Sequence, residues 1–247
     1  MNRITDAIIL MAGSGTRLAG SGPPLPKPLV SVLGRPLISY TLDAFERIGV
    51  QTIHAILGAY SDALLDGLQS LIPSRMRFNP IMNPEWKKQN GISLLSAAGN
   101  VGAPFFLAMG DHLFDPSILE KLVAQADLDR LNLAVDKKID SIFDRDDAMK
   151  VQTKGDRVVG IGKHLNDYNA IDTGLFVCPE EILDYLRRAK RNEDCSLADG
   201  VRLMAADDKV VAIDIGEAWW QDVDTPQMLQ HAQQEMTAQS RVQSSAK

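Results

Sequence analysis

The stretch AIILMAGSGTRLAGSGPPLPKPLV, residues 7–30, decides how the chain is read. It opens on an apolar run, Ala7 to Met11, of the length expected for a buried parallel strand. The run breaks into Gly13-Ser14-Gly15, continues with Thr16 and Arg17, and closes on Pro26-Lys27-Pro28. A strand that empties into glycines suits an anion, because backbone N–H groups free of neighbouring Cβ atoms can approach phosphate oxygens. A helix opening after such a loop would aim its positive end at the same anion. Arg17 and Lys27 add two fixed cations.

Two common phosphate loops do not fit. A Walker loop needs GxxxxGK followed by Ser or Thr, and the chain has none. A dinucleotide fingerprint needs a third glycine where Leu18 stands, and an acid about twenty residues on, where the chain reads Leu33-Gly34-Arg35-Pro36. Hydride-transfer cofactors are therefore disfavoured. What remains, AGxGTRL followed at a distance by PKP, resembles the signature of the nucleotidyltransferases that make nucleoside-diphosphate sugars and alcohols. The resemblance implies that Ala12, Gly13, Ser14, Gly15, Thr16 and Arg17 wrap the triphosphate of an incoming NTP, with Arg17 and Lys27 on its phosphates.

Composition limits the partners. In 247 residues, 45% are hydrophobic and 23% charged, ordinary globular values that permit a large core. A net charge of −6 argues against nucleic acid or an anionic membrane as the main partner, so any phosphate site is a local basic pocket in an acidic protein. Cys178 and Cys195 lie far apart in sequence, which fits idle thiols in a reducing cytoplasm. The N-terminus, MNRITDAIILMAG, carries one cation and too short an apolar run for a signal peptide, and no window approaches a membrane span. The polar tail from Ser240 is expected to fray. A homodimer is allowed, but no heptad or long apolar stripe marks an interface.

Strand and helix patterns alternate through the first half. Strands are expected at Ala7–Met11, Thr52–Leu57, Met76–Ile81 and Pro104–Met109, with helices from Pro36 to Ile48, from a Ser61 cap to Leu71, over Gly91–Ala98, and from Asp115-Pro116 to Ala126. The second half reads as strands at Leu133–Asp136, Ala148–Thr153, Arg157–Ile161, Ile171–Cys178 and Lys209–Ile213. Helices follow over Pro179–Lys190, Ser196–Ala206 and Thr225–Gln239, and Lys154-Gly155-Asp156 is a hairpin turn. This predicts an α/β fold, a Rossmann-like mixed but mainly parallel sheet flanked by helices. One domain is expected over residues 1–239, with an NTP-binding half to about residue 130 and an acceptor-binding half after it.

Further residues carry chemistry. Asp111, in Met109-Gly110-Asp111-His112, follows an apolar strand, where a carboxylate points into the ligand crevice of an open α/β sheet. It is the first candidate ligand for Mg²⁺, which takes one or two protein carboxylates plus phosphate oxygens and water. Asp222 and Asp224, in WWQDVDTP, share a face if extended. Family resemblance favours Asp222 as the second metal ligand, and Asp224 stands equally well as a helix-cap residue. Asn90, Gly91 and Ser93, with Gly110, are assigned by the same resemblance to the nucleotide. Lys163, Asp172, Thr173 and Gly174 are assigned to the phosphorylated acceptor, and Asp136, at the end of the LNLAV strand, is expected to line its pocket. None of the four histidines shows metal spacing; His54 reads as structural and the tryptophan pair as packing.

The segments PKPLVSVLGRPLI, QNGISLLSA, LAMGDHLF, IDTGLFV and WWQDVDT together resemble the inositol-1-phosphate cytidylyltransferases across residues 6–230. Members of that group often carry a fused membrane phosphotransferase domain. This chain ends before one would begin, so a free-standing activity is expected. The resemblance implies Mg-dependent transfer of a nucleotidyl group from an NTP, CTP favoured, to a phosphorylated alcohol, most of all inositol 1-phosphate. Arg17, Lys27 and Lys163 would neutralise the reacting phosphates. Sugar 1-phosphates, phosphocholine, phosphonates and the molybdenum cofactor are the alternative acceptors. A different class of reading is an NTP-sensing subunit with a dead site.

Overall fold

The computed structural model describes residues 4–15, 18 and 26–245. Thr16 and Arg17, both assigned to the triphosphate, lie outside the described residues.

The first half alternates as expected: β1 (Asp6–Leu10), a short hairpin of β2 (Ser31–Val32) and β3 (Arg35–Pro36), α1 (Leu37–Ile48), β4 (Thr52–Leu57), α2 (Ser61–Gln69), β5 (Arg77–Met82), α3 (Asn90–Leu95), β6 (Phe105–Met109), β7 (His112–Phe114) and α4 (Ser117–Gln125). The second half holds β8 (Leu131–Asp136), β9 (Lys150–Lys154), β10 (Arg157–Gly162), β11 (Ala170–Cys178), α5 (Ile182–Ala189), α6 (Leu197–Ala206), β12 (Val210–Asp214), β13 (Trp220–Asp222) and α7 (Pro226–Ser245). One nine-stranded sheet, in the order β5-β4-β1-β6-β11-β8-β12-β10-β9, runs through both halves. The wing β5-β4-β1-β6 is parallel. Beyond it β11 and β10 run antiparallel to their neighbours, while β12 pairs with β8 in parallel.

Side-chain alternation explains why the strands are continuously apolar. Ala7 and Ile9 point into one core with α1, α2 and α4, whereas Ile8 and Leu10 point into the other with α3, α5 and α6. Gly49 ends α1 in the left-handed region at φ 84°, and the Ser196–Asp199 capping box opens α6.

Four details correct the expectations. Tyr60, not Ser61, stands at the N-cap of α2, with no side-chain cap. Pro36 closes the β2–β3 hairpin and precedes α1 rather than beginning it. α7 continues to Ser245, past the expected fray at Ser240. The β7–β13 ribbon adds a two-stranded sheet that the expected strands do not include.

Strand order positions the site. β1 is followed outward on one side by β4 and β5, and the chain then crosses to β6 on the other side of β1. Such a reversal leaves a crevice at the carboxyl ends of the two central strands. The parallel pairing Leu10↔Met109 brings the glycine loop and the Gly110-Asp111 turn to that crevice.

Phe45 of α1 meets Phe106 of β6 with ring centroids 5.7 Å apart, both fully buried. Phe45→Ala is expected to lose about 3–5 kcal/mol of stability in urea unfolding. An unchanged midpoint would show that this contact does not hold helix to sheet.

Candidate active site

Lys27 stands at the centre of the crevice. It opens a 3-10 turn, Lys27–Leu29, between Pro26 and Pro28, and its stem lies along the glycine loop. A Cβ on Gly15 would fall 2.6 Å from Lys27 Cγ, and Gly15 has φ +59°, so only glycine lets the lysine pass. Lys27 Nζ donates to Asp111 Oδ2 at 3.2 Å and forms an ion pair with Asp224. Its side chain is only 13% exposed. A small recess lined by Gly13, Gly15, Lys27, Gly110 and Asp111 opens beside it.

The other carboxylate oxygen of Asp111 is 2.9 Å from His112 Nδ1. His112 stacks on Trp220 at 5.8 Å between centroids and 17° between planes. Gly174, at φ +76°, sits against the same imidazole, where a Cβ would approach to 2.8 Å. The β7–β13 ribbon sets Asp222 directly opposite His112, and Val223 N donates to Asp111 O at 2.9 Å. The ribbon and the chain that follows it thus bring Asp111, Asp222 and Asp224 to the lining of one cleft.

Their charges interact. Burial alone would raise the pKa of Asp111, but the hydrogen bond and charge of His112, together with Lys27, hold it below the usual carboxylate range. Burial works against a charged His112 too, yet Asp111, Asp222 and Asp172 outweigh it and raise the imidazole. Asp222 is raised by burial and by the negative charge of Asp111. Burial pushes Asp172 up to about 6, although Gly174 N donates to its Oδ1 at 2.7 Å.

A cleft of about 300 Å³ extends from these acids. Asp111, Asp222, Asp224, Lys163, Asp147 and Asp172 line it, and Met149, Ile161 and Phe176 contribute an apolar lining. Lys163 forms an ion pair with Asp147.

Of the residues singled out in the sequence, Gly13, Gly15, Lys27, Gly110, Asp111, Asp222 and Asp224 meet around the crevice. Asn90, Lys163, Asp172 and Gly174 line the larger cleft, and Asn90 Oδ1 also accepts from Leu197 N at 2.8 Å. Ser14 is half-buried between its glycines. Ala12 is buried, and its carbonyl accepts from Ala59 N at 3.0 Å.

Four residues have other partners. At Gly91 the close approach is to protein: a Cβ would lie 2.6 Å from the Cys195 carbonyl oxygen. Ser93 is buried and accepts from Asn83 Nδ2 at 3.0 Å. Thr173 is fully buried and donates to Ala134 O at 2.8 Å. Asp136 pairs with Lys138 and accepts from Trp220 Nε1 at 3.1 Å, so it lies behind Trp220 and lines a neighbouring cleft instead. His112, Asp144 and Asp147 line the main cleft and were not assigned from sequence. His112 carried one usable signal, its place directly after Asp111.

Residues 7–144 match the MobA-like NTP transferase domain. The chain belongs to that family. The family match contains the glycine loop, Lys27 and Asp111. Similarity to a curated relative, "Bifunctional IPC transferase and DIPP synthase" of Rubrobacter xylanophilus, reaches 34% identity over 227 residues, covering 90% of this chain and 50% of the relative. A protein of the same name from Aquifex aeolicus is 29% identical over 232 residues, covering 93% and 51%. The chain therefore spans about half the length of these relatives. The inositol-1-phosphate CTP transferase structure from T. maritima superposes with a TM-score of 0.82 at 28% identity, over 92% of each chain. The mixed α/β sheet is that of nucleotide-diphospho-sugar transferases.

In this NTP transferase the carboxylates offer hard oxygen donors suited to Mg²⁺. Lys27 already marks, between Asp111 and Asp224, a place where positive charge is held. Among the described residues no group of three or more His, Cys, Asp or Glu forms a ready-made cage, so phosphate oxygens and water would complete the coordination. No helix of the described residues is long and apolar enough to cross a membrane.

Two outcomes test these placements. Asp172 has an unfolded-state pKa of about 3.9 and a folded one of about 6, so below pH 4 both states keep the proton. As pH rises through 4 to 6 only the unfolded chain loses it, and stability falls until both are ionised. Asp172→Asn should therefore stabilise the fold above pH 6 by on the order of 3 kcal/mol and by nothing below pH 4; a pH-independent effect in thermal melts would contradict this. Gly91→Ala should cost roughly 1–3 kcal/mol in stability with the NTP KM unchanged. A raised KM at unaltered stability would return Gly91 to the nucleotide site.

Proposed function

We propose that this NTP transferase joins CTP to a phosphorylated polyol, inositol 1-phosphate first, giving a CDP-alcohol and pyrophosphate with Mg²⁺ as cofactor. The single observation that carries the reading is Lys27, drawn from the glycine loop onto Asp111 and Asp224 at the mouth of a cleft that also holds Lys163. The likeness to the inositol-1-phosphate CTP transferase structure supports the choice of base and acceptor.

An oxygen of the acceptor phosphate attacks the α-phosphorus in line. The bond from that phosphorus to the bridging oxygen of the β-phosphate breaks, and pyrophosphate leaves with the electron pair. A phosphate monoester is largely dianionic near neutral pH, its second pKa being about 6, so no general base is required. The enzyme's task is to hold anions together and in line. The amides of Gly13 and Gly15, with Arg17, bind the β- and γ-phosphates. Lys27 neutralises the reacting phosphates. Lys163 leaves Asp147 for the acceptor phosphate, and Asp172 accepts from a hydroxyl of the polyol. Asp111 with Asp222 or Asp224 would hold Mg²⁺, whose bound charge would stabilise that developing on the transferring phosphate.

Pyrophosphate release, screened over four NTPs and a panel of phosphates with Mg²⁺ or EDTA, tests the reading. CTP with inositol 1-phosphate should be fastest, with no turnover in EDTA. Faster turnover of a sugar 1-phosphate, phosphocholine or an aminophosphonate would replace the acceptor. Lys27→Ala and Asp111→Asn should each lower kcat by about 100-fold or more while the protein stays folded. Near-normal pyrophosphate release from both would refute the assignment.

A further inference from the structure

Lys27 does more than wait for phosphate. Its ammonium lies between Asp111 and Asp224, two of the three carboxylates read above as candidate ligands of a divalent cation. The three residues are far apart in sequence, and the β1–β6 pairing and the β7–β13 ribbon bring them together. Two features hold the ammonium in place. The stem is threaded past Gly15 with no room for a Cβ, and the side chain is largely buried.

We infer that Lys27 is a specificity device: it holds the metal's place on Asp111 and Asp224, so that the site takes a metal–triphosphate complex and rejects the free metal ion. The inference rests on the reading of these carboxylates as metal ligands. A free divalent ion arriving there must push out the ammonium. The displaced ammonium then gives up its ion pairs with Asp111 and Asp224 in a largely buried position, which is unfavourable. A metal ion that arrives with a triphosphate brings a counter-anion along. Lys27 turns from carboxylate to phosphate, and the carboxylates turn from ammonium to metal. Each charged group leaves one partner only as the next one is offered. Metal and nucleotide binding are thereby coupled, and the coupling is reciprocal.

The test uses Mn²⁺ as the probe, with no nucleotide present, followed by electron paramagnetic resonance of the free ion. Wild-type protein should bind Mn²⁺ weakly. Lys27→Met, which keeps the length of the stem and removes the charge, should bind it at least about fivefold more tightly, and adding Asp111→Asn should abolish that gain. Lys27→Gln is carried in parallel as a second uncharged variant. Equal or weaker Mn²⁺ binding by the folded variants overturns the inference, as does a gain that survives Asp111→Asn. The wild type alone also decides. Mn²⁺ binding without nucleotide that is as tight as binding with CTP, and lost in Asp111→Asn, overturns the inference whatever the variants do. Failure of this inference is distinguishable from failure of the functional reading. If Mg-dependent pyrophosphate release is present and Mn²⁺ binding is indifferent to Lys27, only the place-holding role falls. If release is absent with every acceptor, the functional reading falls, and the Mn²⁺ titration still decides what Lys27 does.

Discussion

A single ammonium held between two carboxylates organises this molecule. Lys27 comes from the loop after the first strand, Asp111 from the turn after the sixth, and Asp224 from the chain just before the last helix. Bringing three charged groups so close is tolerable only because they neutralise one another. Most of the topology can be read as serving that meeting. The parallel β1–β6 pair supplies the first two, and the short β7–β13 ribbon returns the end of the chain to supply the third. The prolines on either side of Lys27 restrict the backbone that presents it.

The site also solves a charge problem peculiar to an acidic protein. Six aspartates line the main cleft, and Lys163 is the one lysine among its lining residues. Self-pairing tames the cluster. Asp111 divides its oxygens between His112 and Lys27, and Asp147 holds Lys163. On the proposed reading, a phosphorylated ligand takes these cations over from the carboxylates.

Much of this was legible in the sequence. β4 was read with its bounds intact, and β1, β6 and β11 to within one residue, because long apolar strands buried on both faces announce themselves. Gly13, Gly15, Lys27, Asp111 and the late aspartates stand out in the sequence by residue type and spacing, and the structure brings them together around one crevice. Other features were hidden for a physical reason. A three-residue ribbon is too short for alternation to register, so β7 and β13 went unseen and with them the role of His112. Gly91 looked like a seat for a ligand, yet its neighbour is Cys195, far along the chain. Thr173 and Asp136 lie beside site residues in sequence but point to Ala134, Lys138 and Trp220. Sequence records that such residues are polar, and only the packed sheet decides which face they serve.

The most direct measurement of the central claim is crystallographic: an anomalous difference map from crystals grown with Mn²⁺ and CTP. The account predicts one manganese peak touching Asp111 and either Asp222 or Asp224, with Lys27 moved onto the triphosphate. A peak away from Asp111, or Lys27 still bridging the carboxylates while CTP is bound, would contradict it.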